Sequence, residues 1–343
     1  CRGRAVTAES GVVTTIRRGD APETPPRPSD PLTRGVAVVM CTYRRARSME
    51  GFLDSLAEQT ARPVRLIIVD ASPDTETEEL VRNRRGELAS SLAYFRVAGP
   101  LRGLTRQRNF GIRWVDTDLV AFFDDDVVLR PGCLAEMERV HRATEGAVGV
   151  GGYTEGSYMP PDRLWRTRRT LGIVGDLRPG SYQRSGMSVP WAFLPPTDEV
   201  VEADWLPGCA MMWKTAVLRE IGFSESFEGY AQGEDLDFSL RARRKGKLLV
   251  AGAARFLHLF DESGRPDHVK MGFMALYNRY QIQRRGLDDR TWRDVIWFVY
   301  AWGLDTLMLG RHFLFPRRFV PTLQHLSGRF KAAALLLKGD HGS

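Results

Sequence analysis

The chain has 343 residues, of which 43% are hydrophobic and 27% charged, and this balance argues against a disordered or wholly membrane-embedded protein. The length is enough for one large α/β domain with a smaller appendage, or for two modest domains. The 49 basic and 42 acidic residues give a net charge of +7, a mild excess that suits an anionic ligand or an anionic membrane surface without requiring either. The four cysteines are scattered without CxxC spacing, so we expect no zinc site or disulfide framework and a reducing cytosol.

The first 34 residues are rich in arginine, proline, serine and threonine. Prolines at positions 22, 25, 26, 28 and 31 are incompatible with a helix or a central strand. We therefore predict a flexible leader over residues 1–34.

Apolar runs then alternate with segments of helical periodicity up to residue 152. The first run, Val36–Cys41, is continuous, as expected of a strand buried on both faces of a parallel sheet. A helix follows from Ser48, its expected N-cap, and the next strand, Val64–Val69, ends at Asp70. Further helices are predicted over 75–83, 103–115 and 131–144, and further strands over 92–97, 119–123 and 147–152. This order predicts an α/β fold with a doubly wound, mostly parallel sheet, in which ligands bind at the carboxyl ends of the strands.

Two later regions have a different character. Residues 153–200 are irregular and suggest a long substrate loop or insertion before order resumes near Trp205. Residues 292–310 are strongly apolar with three tryptophans and are followed by several arginines. A spanning helix needs about 20 apolar residues, whereas the stretch from Val295 to Gly310 is short and is broken by the charge of Asp305. Two interpretations stay open: an interfacial helix anchored by arginines, or a helix packed on the catalytic domain or in a dimer interface.

Three consecutive carboxylates, Asp124, Asp125 and Asp126, follow the apolar strand that ends at Phe123. Like charges this close raise one another's pKa, and a hard divalent cation relieves the repulsion. A solvated acidic turn is the alternative, but such a turn rarely follows an apolar run so directly. The cluster therefore predicts a Mg²⁺ or Mn²⁺ site that also receives phosphate.

A second acidic group, Glu234, Asp235 and Asp237, precedes a short apolar run and a cluster of basic residues. Acids before a helix and bases at its end are also what the helix dipole favours, so a plain helix cap is a real alternative. The functional interpretation makes one of these carboxylates a general base that deprotonates an acceptor hydroxyl.

Six short motifs, in this order, resemble those of the family 2 glycosyltransferases of the GT-A fold. They are the strand and turn 38–44, Asp70 after the second strand, the Gly-x-x-x-x-Arg-Asn-x-Gly helix at 103–111, the aspartates 124–126, the Gly-Cys-Ala-Met segment from Gly208, and the Gly-Tyr-Ala-Gln-Gly-Glu-Asp element at 229–235. The resemblance covers about residues 36–285. Each motif alone is weak, whereas six in the expected order are a specific signal.

The resemblance assigns roles to individual residues. It implies that the nucleotide sugar is bound by Thr42, Tyr43, Arg44, Asp70, Arg108, Asp124, Asp125 and Arg279. It implies a metal held by Asp124, Asp126 and His258, with Asp235 as the base and Glu234 beside it. Trp205, Gly208 and Asp237 are expected to contact the acceptor. Arg108 and His258 also suit ordinary structural roles, as a solvated helical arginine and a satisfied core histidine.

The resemblance implies an inverting enzyme that transfers a hexose or deoxyhexose from a UDP- or dTDP-sugar to a hydroxyl of a glycan or lipid-linked acceptor in bacterial envelope or polysaccharide assembly. The expected fold is a GT-A, Rossmann-like doubly wound sheet with a C-terminal helical extension. We expect a catalytic domain over 35–270, divided near residue 150 into nucleotide-sugar and acceptor halves, and a helical region over 271–343. Mg²⁺ or Mn²⁺ is the expected cofactor.

The expected location is cytoplasmic, with a peripheral position on the inner face of the plasma membrane as an option. The expected partners are the donor, the acceptor, an anionic membrane surface or a second copy through the C-terminal helices, and no nucleic acid. A nucleotidyltransferase is less compatible, because the turn after the first strand lacks the glycine of a phosphate-binding loop. A non-enzymatic membrane-binding module would explain the Trp- and Arg-rich tail but not the carboxylate clusters.

Overall fold

The alternation of apolar strands and amphipathic helices builds one mixed sheet in the computed structural model, which describes residues 12–18, 23–84, 88–260 and 266–339. The strands are β1 (Val12–Arg18), β2 (Thr33–Thr42), β3 (Arg65–Asp70), β4 (Ser91–Val97), β5 (Thr117–Phe123), β6 (Val127–Leu129), β7 (Ala147–Thr154), β8 (Val200–Ala203), β9 (Ala210–Lys214) and β10 (Lys247–His258). The helices are α1 (Ala46–Ala57), α2 (Glu76–Arg84), α3 (Leu104–Ile112), α4 (Cys133–Ala143), α5 (Arg163–Thr170), α6 (Thr215–Ile221), α7 (Glu234–Ala242), α8 (His268–Gly286), α9 (Trp292–Met308) and α10 (Pro316–Leu337).

The strand order is β1-β4-β3-β2-β5-β9-β7-β10-β6, and β8 pairs with β10. Strands β4, β3, β2 and β5 are parallel, whereas β9 runs antiparallel to both of its neighbours, β5 and β7. This arrangement confirms the predicted α/β class and the Rossmann-like sheet.

Hydrophobic layers cover both faces of the sheet. On one face, α1 contributes Phe52 and α4 contributes Met137 to a buried cluster with the inward side chains of the strands. On the other face, Phe110 of α3 and Phe238 of α7 do the same. Fully burying each such side chain contributes about 1.5–3 kcal/mol, so the two layers hold the strand ends in fixed positions.

The helix α3 lies unusually close to the sheet. A Cβ added at Gly111 would meet Val39 Cγ1 of β2 at 2.6 Å, so only glycine allows this approach. The close packing fixes α3, and therefore Arg108, against the carboxyl ends of β2 and β3.

Three predicted segments differ in the structure. Part of the predicted leader, Val12–Arg18, is strand β1 and pairs antiparallel with β4, while residues 1–11 and 19–22 lie outside the described residues. Helix α1 begins at Ala46, so Ser48 lies in its first turn and is not the N-cap. The segment 153–200 is irregular except for α5 and a short 3₁₀ turn at Trp191–Phe193.

The C-terminal helices form a packed unit in addition to the two hydrophobic layers on the sheet. Helices α8 and α10 cross at Gly272 and Gly328, where a Cβ would lie 1.9 Å from the carbonyl oxygens of His325 and Val269, respectively. Phe298 and Trp302 of α9 pack with residues of the segment 173–187. Among the described residues, no helix is both long and apolar enough to cross a membrane.

Candidate active site

The sheet register brings the two acidic motifs to one edge. Because β9 is antiparallel to β5, its first residue, Ala210, lies opposite Phe123, the last residue of β5. The turn that precedes β9 therefore lies beside the aspartate cluster, and the Asp124 N–H donates to the Cys209 carbonyl at 3.1 Å.

Asp124, Asp126 and His258 form a cluster that could hold a metal ion. The pairing of β10 with β6 places His258 opposite Val127, next to Asp126, and His258 Nε2 lies 3.1 Å from Asp126 Oδ1. One ligand atom from each of the three residues lies within 4.8 Å of the others. Two carboxylates and an imidazole are a donor set that suits Mn²⁺ and similar divalent ions. The predicted metal residues are thus brought together.

Asp125 has different partners from Asp124 and His258. Its buried carboxylate accepts hydrogen bonds from Thr42 Oγ1 at 2.6 Å and from Arg45 Nη1 at 3.1 Å. Burial raises the pKa of Asp125 to about 7, although Thr42 and Arg45 both act to lower it. Asp125 and Thr42, both predicted to bind the nucleotide, bond to each other and join the turn after β5 to the end of β2.

Asp70 ends β3 and is completely buried. Its carboxylate accepts from the Tyr94 hydroxyl at 2.9 Å and from the Ser72 N–H at 2.7 Å. Burial raises the pKa of Asp70, which these hydrogen bonds partly offset. Next to it, Arg44 has a left-handed backbone with φ of 57° and donates its N–H to Ser72 Oγ at 2.7 Å. Asp70 and Arg44, both predicted to bind the nucleotide, are thus linked to each other through their hydrogen bonds with Ser72.

Tyr43 lies beside this loop and is half-buried. The Arg102 guanidinium lies 4.4 Å from the centre of the Tyr43 ring and also donates to its hydroxyl. An aromatic ring held in this way offers a face on which a planar base can stack.

Arg108 is buried and forms an ion pair with Glu234. Its Nη1 lies 2.5 Å from Glu234 Oε1, and its Nη2 lies 3.2 Å from the Gly208 carbonyl and 3.5 Å from Asp124 Oδ1. Burial acts to lower the pKa of Arg108, but the carboxylates of Glu234 and Asp124 act more strongly in the opposite direction. The pKa of Arg108 is therefore raised overall. Arg108 therefore stays charged and connects α3, α7 and the metal cluster.

Asp235 differs from Glu234 in being half-exposed. Its Oδ2 accepts the Gly208 N–H at 3.0 Å. A Cβ at Gly208 would lie 3.0 Å from Asp235 Cβ and 3.2 Å from Glu234 Oε1, so a side chain there would crowd both carboxylates. The preceding loop needs left-handed backbone at Ala231 (φ 55°) and Gly233 (φ 87°) to present Asp235 at the start of α7.

The remaining predicted residues lie around this centre. Asp237 is buried in ion pairs with Arg241 at 2.8 Å and Arg285 at 3.1 Å, so the structure does not offer it to an acceptor. Trp205 lies against Trp191, with ring centroids 6.2 Å apart. Arg279 donates to Ser188 Oγ at 3.2 Å, and burial lowers its pKa.

One protein-family model matches the part of the chain that carries the aspartate cluster. The family model described as "Glycosyl transferase family 2" matches residues 37–195, a range that runs from within β2 to beyond β7. This segment belongs to glycosyltransferase family 2. Glycosyl transfer is therefore favoured over nucleotidyl transfer and over a non-enzymatic binding module. No curated protein matches the chain at a significant level.

Several solved structures are similar to this chain, and GalNAc-T7 shares its fold. GalNAc-T7, solved with UDP, GalNAc and Mn²⁺, has a TM-score of 0.58 at 14% identity, covering 90% of this chain and 58% of that one. S. aureus TarS has a TM-score of 0.49 at 15% identity, covering 89% and 82%. The Pyrobaculum calidifontis mannosyltransferase PcManGT, solved with GDP-Man and Mn²⁺, has a TM-score of 0.48 at 18% identity, covering 92% and 82%.

Several supporting residues of the glycosyltransferase were missed by the sequence analysis. Arg45 lies in an arginine-rich run that gave no sign of its bonds to the aspartates. Gln107 Nε2 donates to the carbonyls of Thr42 and Val69 at 3.1 and 2.8 Å and ties α3 to two strand ends. The sequence showed Tyr94 only as one residue of a predicted alternating strand. That pattern is compatible with a tyrosine whose hydroxyl reaches Asp70, but it does not indicate the contact.

Proposed function

We propose that this glycosyltransferase moves a sugar from a UDP- or dTDP-sugar to a hydroxyl of a glycan or lipid-linked acceptor, with inversion at the anomeric carbon. One observation carries the proposal: Asp235 and Asp124 are bonded to adjacent residues of a single segment, Gly208 and Cys209. A candidate base and a candidate metal cluster are therefore both held next to the same short turn. A displacement needs this proximity, because the acceptor and the leaving group must meet at one anomeric carbon.

The chain's own residues divide the work as follows. Asp70, Tyr43 and Arg44 hold the nucleoside, and Asp124, Asp126 and His258 would hold a divalent cation. A bound cation would neutralise charge on the nucleoside diphosphate that leaves. Mn²⁺ is the first ion to test, because the GalNAc-T7 structure contains it together with UDP.

The base acts on the acceptor. The Asp235 carboxylate takes the proton of the acceptor hydroxyl as that oxygen bonds to the anomeric carbon, while the bond from this carbon to the diphosphate oxygen breaks. Attack from the face opposite the leaving group inverts the configuration. Arg108 acts through Glu234 and is a positioning residue in this scheme, because its guanidinium is buried and paired.

We also propose the larger setting. Residues 35–150 and 151–270 would serve donor and acceptor respectively, in a cytoplasmic enzyme that makes envelope or other polysaccharide and works at the inner face of the plasma membrane through the region 271–343. The acceptor half would include Trp205 and Gly208, of which Gly208 is bonded to Asp235.

A panel of nucleotide sugars tests the proposal. The protein is incubated with UDP-, dTDP- or GDP-sugars, with and without Mn²⁺, and thermal shift and released products are measured. We expect one uracil- or thymine-containing donor to stabilise the protein only with the metal and to yield nucleoside diphosphate. Release of pyrophosphate would instead indicate nucleotidyl transfer. The absence of any nucleotide effect would contradict the proposed donor site.

A further inference from the structure

Helix α9 presents an uncharged ridge to the solvent. Trp292, Ile296, Val299 and Leu307 are 68%, 58%, 65% and 75% exposed, and Gly303 lies between the last two. Their spacing of three and four residues puts them on one side of an α-helix. The ridge is therefore continuous along the whole helix.

The opposite side of α9 is the one that packs on the protein. Asp294, Phe298, Ala301, Trp302 and Asp305 are its buried residues. At 100° per residue, this buried side lies across the helix axis from the ridge. Packing within the chain therefore accounts for one face of α9, and the described residues do not cover the other.

Helices α5 and α10 hold α9 from its two flanks. Asp305 accepts hydrogen bonds from Arg168 of α5 and, at 3.1 Å, from Arg329 of α10. The Tyr300 hydroxyl donates to the Leu171 carbonyl just after α5, at 2.9 Å. The helix that carries the ridge is thus bonded to two other helices.

Both flanking helices carry unopposed positive charge. Arg163, Arg166 and Arg169 of α5 are exposed at three-residue spacing, and within the described part of the chain none of them forms an ion pair. On the other flank, Arg317 and Arg318 are exposed at the start of α10. Residues 306–339 contain no aspartate or glutamate.

We propose that the α9 ridge and the arginines of α5 and α10 form a docking surface for an anionic lipid bilayer. Apolar side chains would enter the boundary between headgroups and acyl chains, and the arginines would lie at the level of the anionic headgroups. The inference rests on the proposed function in one respect only: docking on the bilayer would bring a lipid-linked acceptor to Asp235. It extends that proposal by naming the contact surface, including α5, which lies outside the C-terminal region.

Charge separates this occupant from a second copy of the chain. A two-fold interface would use the same patch on both copies, so it would bring arginines of the two chains near each other. Like charges brought together across an interface oppose association. An anionic bilayer complements the apolar ridge and its basic flanks at once.

Vesicle flotation with three variants tests the inference. The ridge variant combines Trp292→Ser, Ile296→Ser and Leu307→Ser, and the charge variant combines Arg163→Gln, Arg166→Gln and Arg169→Gln. The matched control, Arg62→Gln with Lys214→Gln and Lys247→Gln, removes three exposed charges elsewhere. Each protein is mixed with vesicles of phosphatidylcholine alone, or with added phosphatidylglycerol, at low and high salt.

We expect the wild type and the control to bind only the anionic vesicles, and less strongly at high salt. The ridge variant and the charge variant should each bind at least about ten-fold more weakly, since one basic residue near an anionic surface contributes roughly a five-fold effect. Equal loss of binding in the control variant would overturn the assignment of the surface. So would a wild type that ignores vesicles but forms a dimer that the ridge variant dissociates.

A nucleotide readout keeps this test separate from the proposed function. Stabilisation by a nucleotide sugar with Mn²⁺ is measured for each variant, because none of the substituted residues lies at the donor site. A wild type that is stabilised by the nucleotide sugar but does not bind anionic vesicles would refute the membrane surface and leave the enzymatic proposal standing. A wild type that binds the vesicles but shows no nucleotide effect would refute the enzymatic proposal and leave the membrane surface standing.

Discussion

The neighbouring carboxylates of Glu234 and Asp235 have different surroundings, and this difference supports the different roles that we propose for them. Glu234 is buried against Arg108, and burial raises its pKa, whereas Asp235 is half-exposed and bonded to a backbone N–H. A group that takes a proton from a substrate must be reachable, and a charge that compensates a buried arginine must not. The structure therefore favours Asp235 as the base and Glu234 as a residue that positions Arg108.

Replacing Asp235 with asparagine tests that division. The amide keeps the shape but cannot accept the proton, so we expect turnover to fall by about 10²–10⁴-fold while donor affinity stays near that of the wild type. Nucleoside diphosphate release measures the first quantity and donor titration the second. A variant that loses donor binding instead would place Asp235 in the donor site.

Arg108 and Glu234 form a pair whose removal can be dissected. Arg108→Met leaves the Glu234 carboxylate buried without its partner, and we expect the free energy of unfolding to fall by about 3–5 kcal/mol. Adding Glu234→Gln should recover part of that loss, because the unpaired charge is then gone. Denaturant unfolding of the two single variants and the double variant gives the coupling. Additive losses would show that the two side chains act independently.

The cluster of Asp124, Asp126 and His258 predicts a requirement for a divalent ion. Chelation with EDTA should abolish transfer, and Mn²⁺ or Mg²⁺ should restore it. His258→Gln should raise the Mn²⁺ concentration needed for half-maximal activity by at least about ten-fold, since altered coordination commonly costs that much affinity. Full activity in EDTA would refute the metal site.

Elements with strong local patterns could be predicted from the sequence, and those fixed by long-range pairing could not. The apolar runs of β2, β3 and β5 gave their positions and put Asp70 and Asp124 at the ligand-binding edge. Nothing local reveals that β9 runs antiparallel between β5 and β7, which is what brings the turn before β9 beside Asp124. Similarly, three consecutive aspartates look equivalent in sequence, yet the turn between β5 and β6 places Asp125 in a hydrogen bond with Thr42.

Helix α4 carries a buried histidine that links its packing to pH. Burial lowers the pKa of His141 to about 4, and Lys214 adds to the effect. In the unfolded chain the pKa is about 6.5, so between these values only the unfolded state binds the proton. The folded state should therefore lose stability as the pH falls from about 6.5 to about 4, by up to roughly 3 kcal/mol from this residue.

Denaturant unfolding at several pH values measures that loss. We expect His141→Gln to flatten the dependence between those pH values. His268→Gln, which changes an exposed histidine at the start of α8, serves as the control and should leave it unchanged. An unaltered slope in the His141 variant would show that the acid sensitivity arises elsewhere.

At the scale of the whole molecule, the C-terminal helices are bound into the catalytic body. Phe298, Ala301 and Trp302 of α9 share a buried cluster with Ile173, Val174 and Met187 of the segment before β8. The ion pairs of Asp305 with α5 and α10 join the same three parts. The sequence offered two interpretations of this helix, interfacial or packed, and the two faces of α9 suit both at once.

This double role predicts what truncation will do. Removing residues 290–343 uncovers the cluster around Ile173 and leaves Arg168 without Asp305. Each large apolar side chain that loses its cover costs about 1.5–3 kcal/mol, so the truncated protein should melt well below the full chain and aggregate. The ridge variant with serines at 292, 296 and 307 should melt near the wild type, because those side chains are exposed. Scanning calorimetry of the three proteins checks both expectations. A truncated protein that melts like the full chain would contradict the packing described for α9 and leave the helix as a detachable appendage.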